Sequence, residues 1–319
     1  MSNVHAHTVP TVFTRLQINA YDPTRTTTLR NIFSRQMDGR FNALSRIIRQ
    51  AIVELDVFGL RVLTQQEELI PPASNAFNFP RTEDKIKAFM EWLQRQENKG
   101  LLETITLPRI GVGIEEPWTN LYILDSYKRG VLRARHEMRK AGYDVPTVDI
   151  SGGIEAVMGT PFHVDRVGVL FTRVFAELKG VTTTMDTQIS RILAQGLIDG
   201  DNPRLLARKL VSTINGSGMG ELGITDSLGR FIPAQRRAQM IARTEIIRAH
   251  HQAMVQEYKN WAADGFIVIA EWSTAGDERV CSRCSALEGN EFTLREIEHM
   301  IPLHPLCRCI AIPKEVKKK

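Results

Sequence analysis

Cysteine is the residue whose placement carries the most chemistry in this 319-residue chain. All four cysteines lie near its C-terminal end, as Cys281-Ser-Arg-Cys284 and His304-Pro-Leu-Cys307-Arg-Cys309. Cysteines acting only as small core hydrophobes would be scattered along the sequence. Two close pairs with a histidine before the second point instead to a metal site or a disulfide staple. The Cys281-x-x-Cys284 spacing lets two thiolates grip one tetrahedral ion from a tight turn. Cys307-x-Cys309 is a less regular pair. Both of its thiols reach one ion only if the backbone turns there, and otherwise His304 replaces one of them. Structural zinc held by four thiolates, or by three and an imidazole, is one reading. Reduced thiols in a metal-free hairpin and a pair of disulfides are the others. Met1–Ala20 lacks a basic start followed by an apolar stretch, so a reducing compartment is expected.

The composition restricts the function classes. Apolar residues make up 43% of the chain, enough for sizeable cores. The 41 basic and 36 acidic residues leave a net charge of +5, a mild excess that permits nucleic-acid contact without demanding it. No apolar run approaches the roughly 18 residues of a spanning helix, so no membrane partner is expected. Among the motifs that would announce other chemistry, a phosphate-cradling glycine loop, a Ser/His/Asp order and a His-Glu-x-x-His helix are all missing.

The elements that must position the cysteines are mostly helical. Residues 1–27 read as an irregular arm. A helix over about 28–57 carries Met37, Phe41, Leu44, Ile48, Ala51 and Leu55 at heptad-like spacing. Pro71-Pro72 breaks the pattern before a second helix over about 82–99. A loop containing Pro108, Gly111, Gly113 and Pro117 leads to a third helix over about 119–141. Lys128, Arg129, Arg133, Arg135, Arg139 and Lys140 make the second half of that helix the most basic stretch. It is the first candidate for an acidic-partner or DNA contact, against the plainer reading of a solvated face.

Gly152-Gly153 and Gly159-Thr-Pro161 mark a boundary near residue 159. Beyond it, helices are expected over about 165–179 and then up to Gln195. Another starts at Asn202-Pro203, an N-cap followed by proline. Asn215–Gly229 reads as a glycine-rich mobile loop, and a long helix spans about 234–262. The period then changes: Ile267–Ala270 reads as a buried strand and Glu288-Gly289-Asn290 as a hairpin turn. Thr293 with Glu296 reads as a capping box, and Cys309–Ile312 as a last strand before a solvated basic tail, 314–319. The expected class is α+β: a mostly helical N-terminal region, then helices plus a small sheet with a cysteine-rich hairpin module.

Several motifs in order resemble one family. Ile241-Ala-Arg-Thr-Glu245 precedes Trp272-Ser-Thr-Ala-Gly-Asp277, which leads to Val280-Cys-Ser-Arg-Cys284, Leu287-Glu-Gly289 and the His304–Cys309 segment. With Ser190–Gly200 upstream, they resemble the Mu F-like head morphogenesis proteins of tailed bacteriophages, also called minor head or minor capsid proteins. The resemblance covers about 159–313 and leaves 28–158 as a helical docking region. It implies a non-enzymatic protein of the virion, made in the host cytoplasm and packaged into procapsids at the portal vertex. Its implied partners are the portal, capsid and scaffold proteins, with phage DNA bound without sequence specificity. It implies roles in head assembly and in genome packaging or delivery.

Arg243, Thr244, Glu245, Trp272, Asp277, Gly289 and Pro305 are then motif residues with structural roles. Arg243 is expected to pair with a carboxylate from another element, and Asp277 to organise the turn before the knuckle. His250 and His251 read as ordinary helix residues. Two other classes compete. Arg243, Ser273-Thr274 and Glu296-Ile-Glu298 follow the order of ADP-ribosyltransferase elements, and the cysteines alone would suit a zinc-ribbon DNA-binding module.

Overall fold

A computed structural model describes residues 22–61, 76–109, 112–215 and 230–318. Most of the expected N-terminal arm, the Pro71-Pro72 break and nearly all of the Asn215–Gly229 loop lie outside them. The fold is α+β, as the changing period requires.

Helix α7 (Ala234–Ala263) is the axis, with buried residues on every face. Helices α1 (Thr27–Arg49), α3 (Asn120–Lys140) and α5 (Pro161–Ile198) pack around it, and α2 (Thr82–Gly100) lies on α5. The short α4 (Ile154–Met158) leads into α5, and α6 (Pro203–Asn215) bridges α1 and α5. One apolar core joins Phe33, Phe41, Tyr127, Leu178 and Ile246, so packing continues across residue 159. The backbone of α3 comes close to α7 at Gly130, where an added Cβ would meet the His250 carbonyl oxygen and fall 2.6 Å from Ala253 Cβ. Nearby, the Ser126 hydroxyl donates to the Ile246 carbonyl at 2.7 Å.

Several expectations are corrected. The helices expected at 165–179 and up to 195 are one 38-residue helix. Gly180 does not break it, because Val174, Leu178, Val181, Met185 and Ile189 keep one buried stripe in register through the glycine. The first helix ends as α at Arg49 and passes into a π-turn over Gln50–Glu54. The proline- and glycine-marked loop contains an antiparallel hairpin, β1 (Thr104–Arg109) with β2 (Val112–Pro117).

The second sheet is built on β3 (Phe266–Ser273), flanked by β4 (Glu291–Thr293) and β5 (Ile310–Lys318), both antiparallel to it. β5 extends the expected last strand into the basic tail. Phe266 pairs with Lys318, and Lys314 bridges Glu271 and Glu291 at 2.9 and 3.0 Å. No helix among the described residues is long and apolar enough to cross a membrane.

Candidate metal centre

The cysteine module hangs from β3. Trp272 accepts from Gly289 N–H and donates its own N–H to Asn290 O, both at 2.9 Å. Gly289 takes the positive φ of 75° that this turn needs, which favours a residue without Cβ. Trp272 is fully buried beside Phe292 and closes the floor of the module. Between β3 and β4 the chain forms the short helix α8 (Ser282–Ser285), capped by the Cys281 sulfur, which accepts from Cys284 N–H at 3.4 Å. After β4, Thr293 and Glu296 complete the expected capping box on α9 (Leu294–Ile297).

The second pair arrives through a turn. Leu306 adopts φ 65°, a conformation that L side chains rarely take, and Leu306 N–H donates to the Thr244 hydroxyl at 3.1 Å. Cys307 and Cys309 thereby both join Cys284 in one group of sulfurs within 4.8 Å, while Cys281, Cys284 and His304 form a second such group. Cys284 belongs to both.

The donor set fits a tetrahedral ion. The Cys284 and Cys307 sulfurs are 4.0 Å apart, beyond a disulfide bond but close to the ~3.8 Å that two thiolates span around a zinc-sized ion. His304 Nε2 lies 3.2 Å from both the Cys281 and the Cys284 sulfur. Its Nδ1 faces the Pro305 carbonyl at 2.7 Å. A carbonyl only accepts, so Nδ1 carries the hydrogen and Nε2 presents its lone pair to the thiols. Metal-binding imidazoles are oriented in this way.

The thiols cannot all ionise together without a cation. Cys307 is pulled down to about 5, first by the Cys309 thiol's hydrogen bond and then by backbone N–H groups. Cys309 is driven up, first by donating that hydrogen bond and then by burial. Burial and the neighbouring Cys307 charge push Cys284 up to about 12. Cys281 is lowered, first by Cys284 N–H. One buried thiolate thus suppresses its neighbours, and a dication would reverse that. Cys284 would hold such an ion together with Cys281 and His304 or with Cys307 and Cys309, the two donor groups that it joins.

The other motif residues buttress this cluster. Asp277 accepts from Arg308 through both oxygens, at 2.7 Å for Nη1 to Oδ2, and from Arg279 N–H at 3.1 Å. Its carboxyl is held well below the ordinary range, first by Arg308. It therefore organises the turn. Glu245, buried on α7, is bridged by Arg248 at 3.1 Å and by Arg173 of α5 at 3.3 Å. Arg243 departs from expectation: its Nε is buried without a hydrogen-bond partner, and no ion pair to another element is found for it among the described residues. Thr244, Glu245, His304 and Pro305 all line a cleft of about 1490 Å³ between α5 and α7.

The basic stretch of α3 is largely neutralised within the chain. Lys128 pairs with Glu155, Arg129 with Asp125 at 2.9 Å, and Arg133 with Glu137 at 2.7 Å. Arg135 is buried against Glu257 at 2.8 Å. Arg139 and Lys140 remain exposed. The glutamates of the transferase-like order have structural roles: Glu296 caps α9, and Glu298 is held by Lys259 at 2.6 Å and Arg166 at 3.1 Å.

Sequence reasoning missed how α7 anchors the module. His251 Nε2 donates to Ile297 O at 2.9 Å, and Gln252 donates to Glu298 O at 2.6 Å. Burial depresses His250 and His251 to about 3 and about 4, so both are neutral imidazoles of the core rather than ordinary helix residues. A second buried chain, Tyr127–His163–Glu257–Arg135, ties α3, α5 and α7 through contacts of 2.8–2.9 Å. A lone histidine at 163 carries no pattern that could have announced it.

Residues 187–312 match the family model described as Phage Mu protein F like protein. No curated protein and no solved structure matches the chain.

Proposed function

We propose that this chain, whose residues 187–312 match the phage Mu protein F like family, is a head morphogenesis protein acting as a minor head component. In this reading it enters the procapsid at the portal vertex and assists genome packaging or delivery, without catalysing a reaction. The family match carries the reading. The convergence of Thr244, Glu245, His304 and Pro305 on one cleft supports it, because these motif residues come from distant parts of the chain. On the α5 wall of that cleft, Gly168, Thr172, Ala176, Gly180 and Thr184 form a row of small residues. A Cβ at either glycine would meet nothing within 4 Å. Such a row suits close approach by a helix of a head partner.

The cysteine cluster is a structural zinc site in this reading. Bound zinc would supply a tetrahedral crosslink between the knuckle and the 304–309 turn. The protein's part is to hold Nε2 of His304 free and to keep Asp277 on Arg308.

Mass analysis of purified virions and procapsids tests the role. The chain is expected inside both, in few copies. Heads that never contain it, together with unchanged infectious yield after its deletion, would refute the role.

A further inference from the structure

Far from the cysteine module in sequence, a groove between the end of α1 and α6 gathers three arginines. Its cavity of about 460 Å³ is lined by Arg49 of α1, Val53 of the π-turn, and Arg204, Ala207, Arg208 and Val211 of α6. Asn215, the last residue of α6, donates to Asn42 of α1 at 3.4 Å and ties the two helices together. Seven residues further along α1 comes Arg49, and seven residues back along α6 comes Arg208. Arg204 lies one turn before Arg208 on the same face of α6, about 6 Å along its axis.

All three arginines are exposed, and none forms an ion pair among the described residues. The carboxylates that adjoin these elements in sequence are turned elsewhere. Asp201 holds Lys209 at 2.6 Å, and Asp56 accepts from the Leu60 and Arg61 N–H groups at 2.8 and 3.1 Å. Glu54, next to Val53, does not line the groove. Arg204 moreover sits in the first turn of α6, which carries no acidic residue, and a cation there opposes the helix dipole. At four-residue spacing Arg204 and Arg208 also repel each other. Neither arrangement favours folding, and an anion seated in the groove would offset both.

The charges flank an apolar floor of Val53, Ala207 and Val211. We propose that this groove is a docking surface for the sugar–phosphate backbone of a nucleic acid, with Arg49, Arg204 and Arg208 each meeting a phosphate. The forked N–H donors of arginine match phosphate oxygens in pairs. A strand carries a charge on every nucleotide, about 3.4 Å apart in a duplex, so three cations are met in any register. An acidic peptide would instead need carboxylates at matching positions. Contacts of this kind hold a strand without reading its bases. The groove lies on α1 and α6 rather than on α3, whose basic stretch is largely neutralised within the chain. The surface rests on these side chains and does not depend on a role in the phage head.

The test is fluorescence anisotropy of a short labelled single-stranded oligonucleotide, titrated with the full-length protein at several salt concentrations. Wild type should bind, with log K falling linearly in log salt. The triple variant Arg49→Gln, Arg204→Gln, Arg208→Gln should bind at least about tenfold more weakly, with a slope shallower by about 2. A control removes three exposed charges elsewhere, as Arg139→Gln, Lys140→Gln, Lys179→Gln, and should stay near wild type. Equal losses in the two triple variants would show an effect of net charge alone and overturn the proposal, and so would a wild type that does not bind. Should the groove variant not fold, Arg208→Gln alone decides: its slope should be shallower by about 0.7, and an unchanged slope overturns the proposal.

Other occupants are distinguished in the same assay. Glu67, Glu68, Glu221 and Asp226 lie outside the described residues, in segments that adjoin the groove in sequence. Oligonucleotide binding that appears only after these four are changed to Gln or Asn would mean the groove is filled from within, and overturns the proposal. Displacement of the oligonucleotide by polyglutamate as readily as by unlabelled oligonucleotide would assign the groove to acidic peptides, with the same consequence. So would self-association of wild type, seen by sedimentation, that the groove variant loses and that excludes the oligonucleotide. Displacement by unlabelled oligonucleotide but not by polyglutamate supports the assignment.

Discussion

The helical body and the cysteine module are held together by different means. In the body, α7 is enclosed by α1, α3 and α5, and a continuous apolar core joins them. The module's own core is small: Ala270, Trp272, Ile297, Ile301 and Ala311, with Cys284, Cys307 and Cys309, and with Ile247 and Val255 lent by α7. Three of those ten residues are cysteines. A unit of this size buries too little apolar surface to order itself, and such units depend on a crosslink or a metal. The body should therefore respond to changes in packing, and the module to changes in its ligands and buttresses.

The largest effect should come from Cys284→Ser, since Cys284 belongs to both donor groups. Metal content should fall from one zinc per chain to none, measured by elemental analysis. A structural zinc supplies on the order of 10 kcal/mol in small zinc domains, so the module should become sensitive to proteolysis. Retention of α-helical circular dichroism would confirm that the body stands without it.

Gly130→Ala probes the other side of the comparison. The added methyl collides with Ala253 Cβ and the His250 carbonyl, and overpacking of this kind costs about 1–3 kcal/mol. Chemical denaturation should show that loss with zinc content unchanged. Asp277→Ala leaves Arg308 without its carboxylate, and losing a charge-assisted pair costs about 1–3 kcal/mol. The loss should appear as faster zinc release to a chelator more than as a lower melting point of the helices.

The smallest effect has the opposite sign. Glu97 of α2 is buried beside Asp186 of α5, and burial first, then Asp186, raises it to about 9. The native state therefore holds a proton that the unfolded chain has released between about pH 4.5 and 9, so stability falls as pH rises through that window. Glu97→Gln should melt higher than wild type at pH 8 and lose part of that pH dependence. A lower melting point at pH 8 would contradict it.

What the sequence made legible follows the same division. The N-cap Asn202, which accepts from Leu205 N–H, and the Thr293–Glu296 box were readable because they are local hydrogen-bond chemistry. The cysteine cluster was readable from spacing. The turn that unites it was not, because Leu306 takes a positive φ without being Gly or Asn. Lysines concealed β5, whose pairing with β3 runs to Lys318, and Pro108 with Gly113 concealed β1 and β2. The burial of α7 on all faces defeats a reading that looks for one apolar stripe, so His250 and His251 passed as ordinary. Arg243 was expected to be paired, a default that only three-dimensional placement could correct.

The most direct measurement is amide hydrogen exchange of the zinc-loaded protein before and after a chelator, under reducing conditions. Amides of residues 274–309 should lose protection on zinc removal, while those of α3 and α7 keep theirs. Unchanged protection of the module in protein shown to be zinc-free would contradict the account.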